Sequence, residues 1–209
     1  MHPLFFPTSQ PPLTECTHTP SSTRPLRSYN FPAITGVDTN PLALLQAIEE
    51  VGIPQFRGMK FTEFNTWYFE NCLTYRDGLY DIAYGRDECL LSGVALGSRG
   101  HIGNGFNFAP GVYQRIRAAF ARGDIAAARK EQHLANYTVN TMNDQKYGIH
   151  SLATARVMYE LKGAVKLGPP RAPFTALTAE QTAALKEELT RSGYFEWSNE
   201  VVRSDVPAA

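Results

Sequence analysis

Apolar positions along the chain fall into two regimes. From about residue 28 to 123 short apolar runs alternate with stretches of helical period, and from 124 to 209 the helical period continues without strands. The first regime is the pattern of βα units around a parallel sheet, where each crossover helix buries one face against the strands. A helix over 41–51 is predicted from Asn40 as its cap, Pro41 at its first position, and Leu42, Leu45 and Ile48 on one face. The run ending in Met59-Lys60-Phe61 reads as a buried strand, and a helix over about 64–75 would turn Phe64, Trp67 and Leu73 toward the core. A strand from Leu79 to Tyr84 precedes a helix holding Leu90, Leu91, Val94 and Leu96. A further strand at Ile102 leads through Gly103 and Asn104 into a helix holding Val112, Ile116 and Phe120.

Amphipathic helices are predicted from Ile125 to Met142 and from Ser151 to Lys162, and Thr178-Ala179-Glu180-Gln181 is a capping-box signal for another. Residues 1–27 are rich in Pro, Ser and Thr, carry one acidic residue, and show neither period, so they read as a disordered tail. A targeting peptide is the functional alternative, but the basic amphipathic helix that import uses is missing. The expected organisation is a tail over 1–27, an α/β unit over 28–123 and a helical extension over 124–209.

Composition narrows the function. The chain has 209 residues, 43% hydrophobic and 19% charged, as expected of a soluble globular protein with one core. No run approaches the roughly 18 apolar residues of a membrane span. A formal net charge of +0 argues against a nucleic-acid partner, which asks for a basic face, and favours small metabolites. Cys16, Cys72 and Cys89 are odd in number and form no Cys-x-x-Cys pair, so no disulfide scaffold is expected and a reducing cytoplasm is the simplest location. The five histidines show no ligand spacing, and neither a metal nor a cofactor is expected.

The candidate chemistry centres on Lys60. A lysine closing a buried strand loses hydration, which lowers an ammonium pKa toward the range in which the amine attacks a carbonyl. Alone, such a lysine is as readily a solvated surface group. Its company is more specific: Tyr29-Asn30-Phe31-Pro32-Ala33-Ile34-Thr35-Gly36 upstream, then Tyr84-Gly85-Arg86-Asp87-Glu88 and Gly100-His101-Ile102-Gly103-Asn104-Gly105-Phe106-Asn107 downstream. Each ends a predicted strand in small or polar groups, at the edge where α/β enzymes keep their chemistry. Asp87 and Glu88 suit hydroxyl groups as acceptors, or else mark a helix start favoured by the dipole.

In order and spacing over roughly residues 29–175, these segments resemble the pyruvate-dependent class I aldolases of the N-acetylneuraminate lyase and dihydrodipicolinate synthase superfamily, most closely the N-acetylneuraminate lyases. The resemblance implies an α/β fold: a partial TIM (β/α)8 barrel, its C-terminal half with strands matching five to eight, followed by a helical extension. It implies that Lys60 forms an imine with pyruvate and that Tyr29 shuttles the proton. Thr62, Gly85, Asp87, Glu88 and Asn104 would hold the hydroxylated sugar tail. Ile34 is aliphatic where the synthases carry a carboxylate-gripping arginine, Gly-Met-Lys-Phe-Thr looks like the lyase pattern, and Gly168-Pro169-Pro170-Arg171-Ala172-Pro173 resembles the animal-type lyases. Asn104 stands where the lyases usually have a serine, and Arg86 where an aromatic or aliphatic residue is usual.

The implied reaction cleaves N-acetylneuraminate to N-acetylmannosamine and pyruvate without cofactor or metal. Implied partners are the small molecules sialic acid and pyruvate, with no nucleic acid or membrane, and either a homo-oligomer, as in the tetrameric family members, or association with a full-length homologue. The family's Gly-x-Thr-Gly-Glu turn, which binds the pyruvate carboxylate, and a second tyrosine of its proton relay have no counterpart in residues 1–28. The sequence therefore predicts an open half barrel with two unpaired strand edges and little turnover by the isolated chain. The alternatives are a non-catalytic fragment or partner subunit of a full-length homologue, or an aldolase for another 2-keto-3-deoxy sugar acid.

Overall fold

The computed structural model describes residues 24–147, 151–163 and 165–199. Most of the segment read as a tail lies outside the described residues, although Leu26 and Arg27 already belong to the first strand. Three parallel strands, β1 (Leu26–Asn30), β2 (Phe56–Phe61) and β3 (Asp81–Tyr84), pair in chain order. Parallel neighbours require crossovers, and the helices supply them. After the single turn α1 (Pro32–Thr35), α2 (Pro41–Val51) forms as predicted: Asn40 Oδ1 accepts the Leu42 and Ala43 N–H groups, and Gly52 ends the helix at φ 73°.

Along β2 the side chains alternate. Met59 and Phe61 are 0% exposed and enter a core shared with Leu45, Phe56, Phe69 and Tyr84, which leaves Lys60 on the opposite face of the sheet. That face also carries Arg27, Tyr29, Asp81 and Ala83, the register partners of Gly58 and Lys60 or their neighbours two residues along. Arg27 and Asp81 form an ion pair of 3.0 Å across it, with both side chains about half exposed.

Three expectations need correction. The second helix is α3 (Thr66–Thr74), begun by Asn65, whose side chain accepts the Tyr68 N–H. Its inner face carries Phe69 and Cys72, three residues apart, so Phe64 and Trp67 are not core residues and stand 59% and 65% exposed. The strand expected from Leu79 starts only at Asp81, because a turn with Arg76, Asp77 and Gly78 all at positive φ takes up the preceding residues. The strand expected at Ile102 shrinks to a bridge: Tyr84 N–H donates to Gly100 O and Ile102 N–H donates to Tyr84 O. Gly100 and Gly103 flank this short pairing and weaken any longer strand. Of the four strands matched to a barrel, the described residues thus hold three and a bridge.

The rest is helical: α4 (Leu90–Ala95), α5 (Pro110–Ala121), α6 (Ile125–Asn143), α7 (Ser151–Leu161), α8 (Ala179–Arg191) and the short α9 (Tyr194–Trp197). The predicted capping box starts α8, with Thr178 Oγ1 accepting Gln181 N–H and Gln181 Oε1 accepting Thr178 N–H. These helices build a second core around Val112, Ile116, Ala135, Met158, Leu185 and Leu189. Within it Tyr194, fully buried, donates its hydroxyl to Phe108 O at 2.6 Å. No helix among the described residues is long and apolar enough to cross a membrane.

Candidate active site

The site is built from one row of the sheet. Tyr29, Lys60 and Ala83 are register partners on β1, β2 and β3, so their side chains rise side by side from the same face. Lys60 Nζ donates to Tyr29 Oη at 2.9 Å and lies 4.3 Å from the centroid of the Tyr29 ring. Lys60 is half-buried and Tyr29 exposed, so the pair sits at an accessible surface, with the lysine less desolvated than a group closing a buried strand was expected to be.

Gly85, just past β3, gives the lysine its room. A Cβ there would come within 2.8 Å of Lys60 Cε and 2.1 Å of Thr62 Oγ1, while the Gly85 N–H donates to Phe61 O at 2.7 Å. Thr62 is buried, with its N–H donating to Asn30 O, and its hydroxyl has no protein partner among the described residues. The predicted set Lys60, Tyr29, Thr62 and Gly85 is therefore brought together.

Asp87 is placed differently from a simple tail-binding group. It is buried, and Oδ2 accepts the Gly105 N–H at 2.7 Å, so the carboxylate anchors the Gly103–Gly105 segment that carries Asn104. Gly103 permits this approach, since a Cβ there would stand 1.3 Å from Asp87 Oδ1. Burial raises the Asp87 carboxyl to about 6; the Gly105 bond and the nearby Lys60 charge oppose the rise, and the Glu88 charge adds to it. A raised carboxyl pKa contributes stability that is fully present below about pH 4 and lost as pH rises through about 6. Relative to the Asp87→Asn variant, the protein should lose about 2 kcal/mol of stability between pH 4 and pH 7. Urea midpoints of both proteins at the two pH values measure this directly.

Glu88 is half-buried and faces Arg86, with Nη1 to Oε1 at 3.4 Å. Asn104 lines a cleft of about 870 Å³ that runs past Phe108 to Tyr159 on α7 and to Arg171. Sequence reasoning missed Gln132 on α6, whose Nε2 donates to Asp87 O at 3.1 Å and whose Oε1 accepts Leu91 N–H at 2.8 Å. The available signal was a polar residue interrupting the apolar face Ala128, Ala135, Val139; it is nearly buried because it holds the backbone at Asp87.

Residues 3–192 match the model of the dihydrodipicolinate synthetase family. The chain belongs to this family. Among curated relatives, N-acetylneuraminate lyase of Gallus gallus is 33% identical over 168 residues, covering 80% of this chain and 53% of the relative; that of Mus musculus is 29% identical, covering 90% and 57%. Among solved structures, Proteus mirabilis N-acetylneuraminate lyase superposes with a TM-score of 0.73 at 27% identity, over 86% of this chain and 56% of the other. A Sulfolobus solfataricus 2-keto-3-deoxygluconate aldolase variant shares the fold, with a TM-score of 0.68 at 23% identity over 82% and 56%. The chain spans about half the length of the curated relatives it matches. Its α/β architecture is that of the family's aldolases.

Proposed function

We propose that this chain supplies the imine-forming part of a pyruvate-dependent carbon–carbon lyase whose substrate is N-acetylneuraminate or a related 2-keto-3-deoxy sugar acid. The observation that supports this most directly is the 2.9 Å contact between Lys60 Nζ and Tyr29 Oη across two parallel strands, in a chain whose curated relatives include N-acetylneuraminate lyases. In this reading the Lys60 amine adds to the C2 ketone and water leaves with a proton from the Tyr29 hydroxyl, or from solvent where that hydroxyl is absent, giving a protonated imine and leaving Tyr29 able to accept a proton. The carbon–carbon bond then breaks toward the iminium, which becomes an enamine as Tyr29 takes the proton of the departing hydroxyl. Protonation of the enamine and hydrolysis release pyruvate and the aldehyde. Thr62, Gly85, Glu88 and Asn104 line the path of the sugar tail, and Asp87 and Gln132 hold that rim in place.

Residues 28–123 would then carry the chemistry and 124–209 the helical extension, in the cytoplasm. A second reading, a subunit that acts with a full-length homologue, is favoured by the exposure of β1 and of the Arg27–Asp81 pair on the face that a closed barrel would enclose. Borohydride reduction in the presence of pyruvate tests both. The expected result is a reduced pyruvyl adduct mapped by peptide mass to Lys60. An adduct on the chain alone supports independent imine formation, one that appears only on mixing with a full-length homologue supports the second reading, and none under either condition overturns both.

A further inference from the structure

Arg86 stands between Gly85 and Asp87 and has no role in the chemistry above. Its guanidinium carbon lies 4.0 Å from the centroid of the Phe64 ring and 5.2 Å from that of Phe31. Phe31 follows β1, Phe64 follows β2 and Arg86 follows β3, so the stack bridges the same ends of all three strands, the ends at which Tyr29, Lys60 and Gly85 sit. This accounts for Phe64, an exposed aromatic with no place in either core: it is the platform on which the guanidinium rests.

Stacking uses the faces of a guanidinium and leaves its N–H groups in the plane, available to a ligand. The Arg86 side chain is only 14% exposed, yet Nε is buried without a partner among the described residues. The hydrogen bond its N–H groups make among the described residues, Nη1 to Glu88 Oε1 at 3.4 Å, is long for a charge-assisted one. A buried donor left unsatisfied is costly, so a purely structural arginine would be expected to turn it toward a carbonyl. Here Nη1 is instead held beside the Glu88 carboxylate, whose side chain is 28% exposed and open to a ligand.

We propose that Arg86 determines specificity by forming, with Glu88, a donor and acceptor pair that binds neighbouring hydroxyl groups of an open-chain sugar tail. Arg86 donates to hydroxyl oxygens and Glu88 accepts from hydroxyl hydrogens, so the pair complements a diol as neither residue does alone. A neutral polyol is the favoured class, because Glu88 and Asp87 at the same rim oppose an anionic tail. This inference rests on the proposed function for the position of the tail, and it predicts that pyruvate, which has no tail, is indifferent to Arg86.

The test is a calorimetric titration with N-acetylmannosamine of the unaltered chain and of Arg86→Lys and Arg86→Met, the latter keeping an apolar stem against the two rings. Circular dichroism melts establish that each variant is folded. Arg86→Met should bind the sugar roughly tenfold more weakly, as for the loss of one or two good hydrogen bonds. Arg86→Lys should fall between, and adduct formation with pyruvate at Lys60 should be unchanged in both. Equal affinity in all three proteins, no binding by the unaltered chain, or a parallel loss of pyruvate adduct in folded Arg86→Met overturns the proposal. If pyruvate forms no adduct with any protein while the sugar affinities differ as expected, the imine reading fails and the Arg86 assignment stands.

Discussion

Replacing Lys60 by arginine is expected to abolish the borohydride-trapped pyruvate adduct and to lower any aldol cleavage by about four orders of magnitude or more, because a guanidinium is never a free amine at accessible pH. The fold should survive. Lys60 is half-buried on the open face of β2, while Met59 and Phe61, which secure the strand, point the other way. Tyr29→Phe separates nucleophile from proton carrier. It removes the 2.9 Å hydroxyl partner of Nζ but leaves the ring, so imine trapping should persist while cleavage falls by roughly 10²–10⁴. Single-turnover trapping and steady-state assays on the same preparations distinguish the two steps. A Lys60→Arg protein that still yields the adduct places the nucleophile elsewhere.

The largest effect on stability is expected for Gly58→Ala. Gly58 lies inside β2 at φ 156°, between Arg27 and Asp81 in the register, and a Cβ there would stand 1.8 Å from Asp81 O and 2.6 Å from Asp81 C. Those are backbone atoms of the adjacent strand and cannot rotate away as a side chain tip could. Relief requires β2 and β3 to separate where they are hydrogen-bonded, which also displaces Ile82 and Met59 from the sheet-side core. The cost should be of order 4 kcal/mol, enough to unfold a marginal domain, and denaturant titration of Gly58→Ala measures it. Gly52→Ala is a useful contrast: Gly52 is also at positive φ, but a Cβ there meets nothing within 4 Å, so only backbone strain of about 1 kcal/mol is expected.

Local signals carried far where the physics is local. Asn40 with Pro41, and Thr178 with Gln181, announce helix starts because capping is settled within four residues, and both caps form as read. Lys60 could be singled out because it closes a strand of visible pattern, whereas Tyr29 came from the resemblance alone, and parallel pairing at matching depth brings the two together. What depends on facing surfaces was not legible. An aromatic at position 67 reads as core on any helical wheel, but the inner face of α3 is fixed by contact with Phe61 and Tyr84, which select Phe69. Likewise Ile102 reads as a strand from its position, yet Gly103 and Gly105 just after it serve the approach of Asp87 and Tyr113. Gln132 belongs to the same class, since its partners lie 41 and 45 residues away. β1 opens to solvent in keeping with its sparse apolar content, and Pro25 falls just before the strand, where its missing N–H does no harm.

The row formed by Tyr29, Lys60 and Ala83 is held by backbone pairing, whereas Arg86, Glu88 and Asn104 sit on the connections beyond it. Under the proposed function, bond-making and recognition would thereby fall under separate mechanical control. Substitutions in the connecting segments would then retune which sugar is accepted while the Lys60 nitrogen stays at the same height, so a common reactive floor would persist beneath a changing choice of cargo.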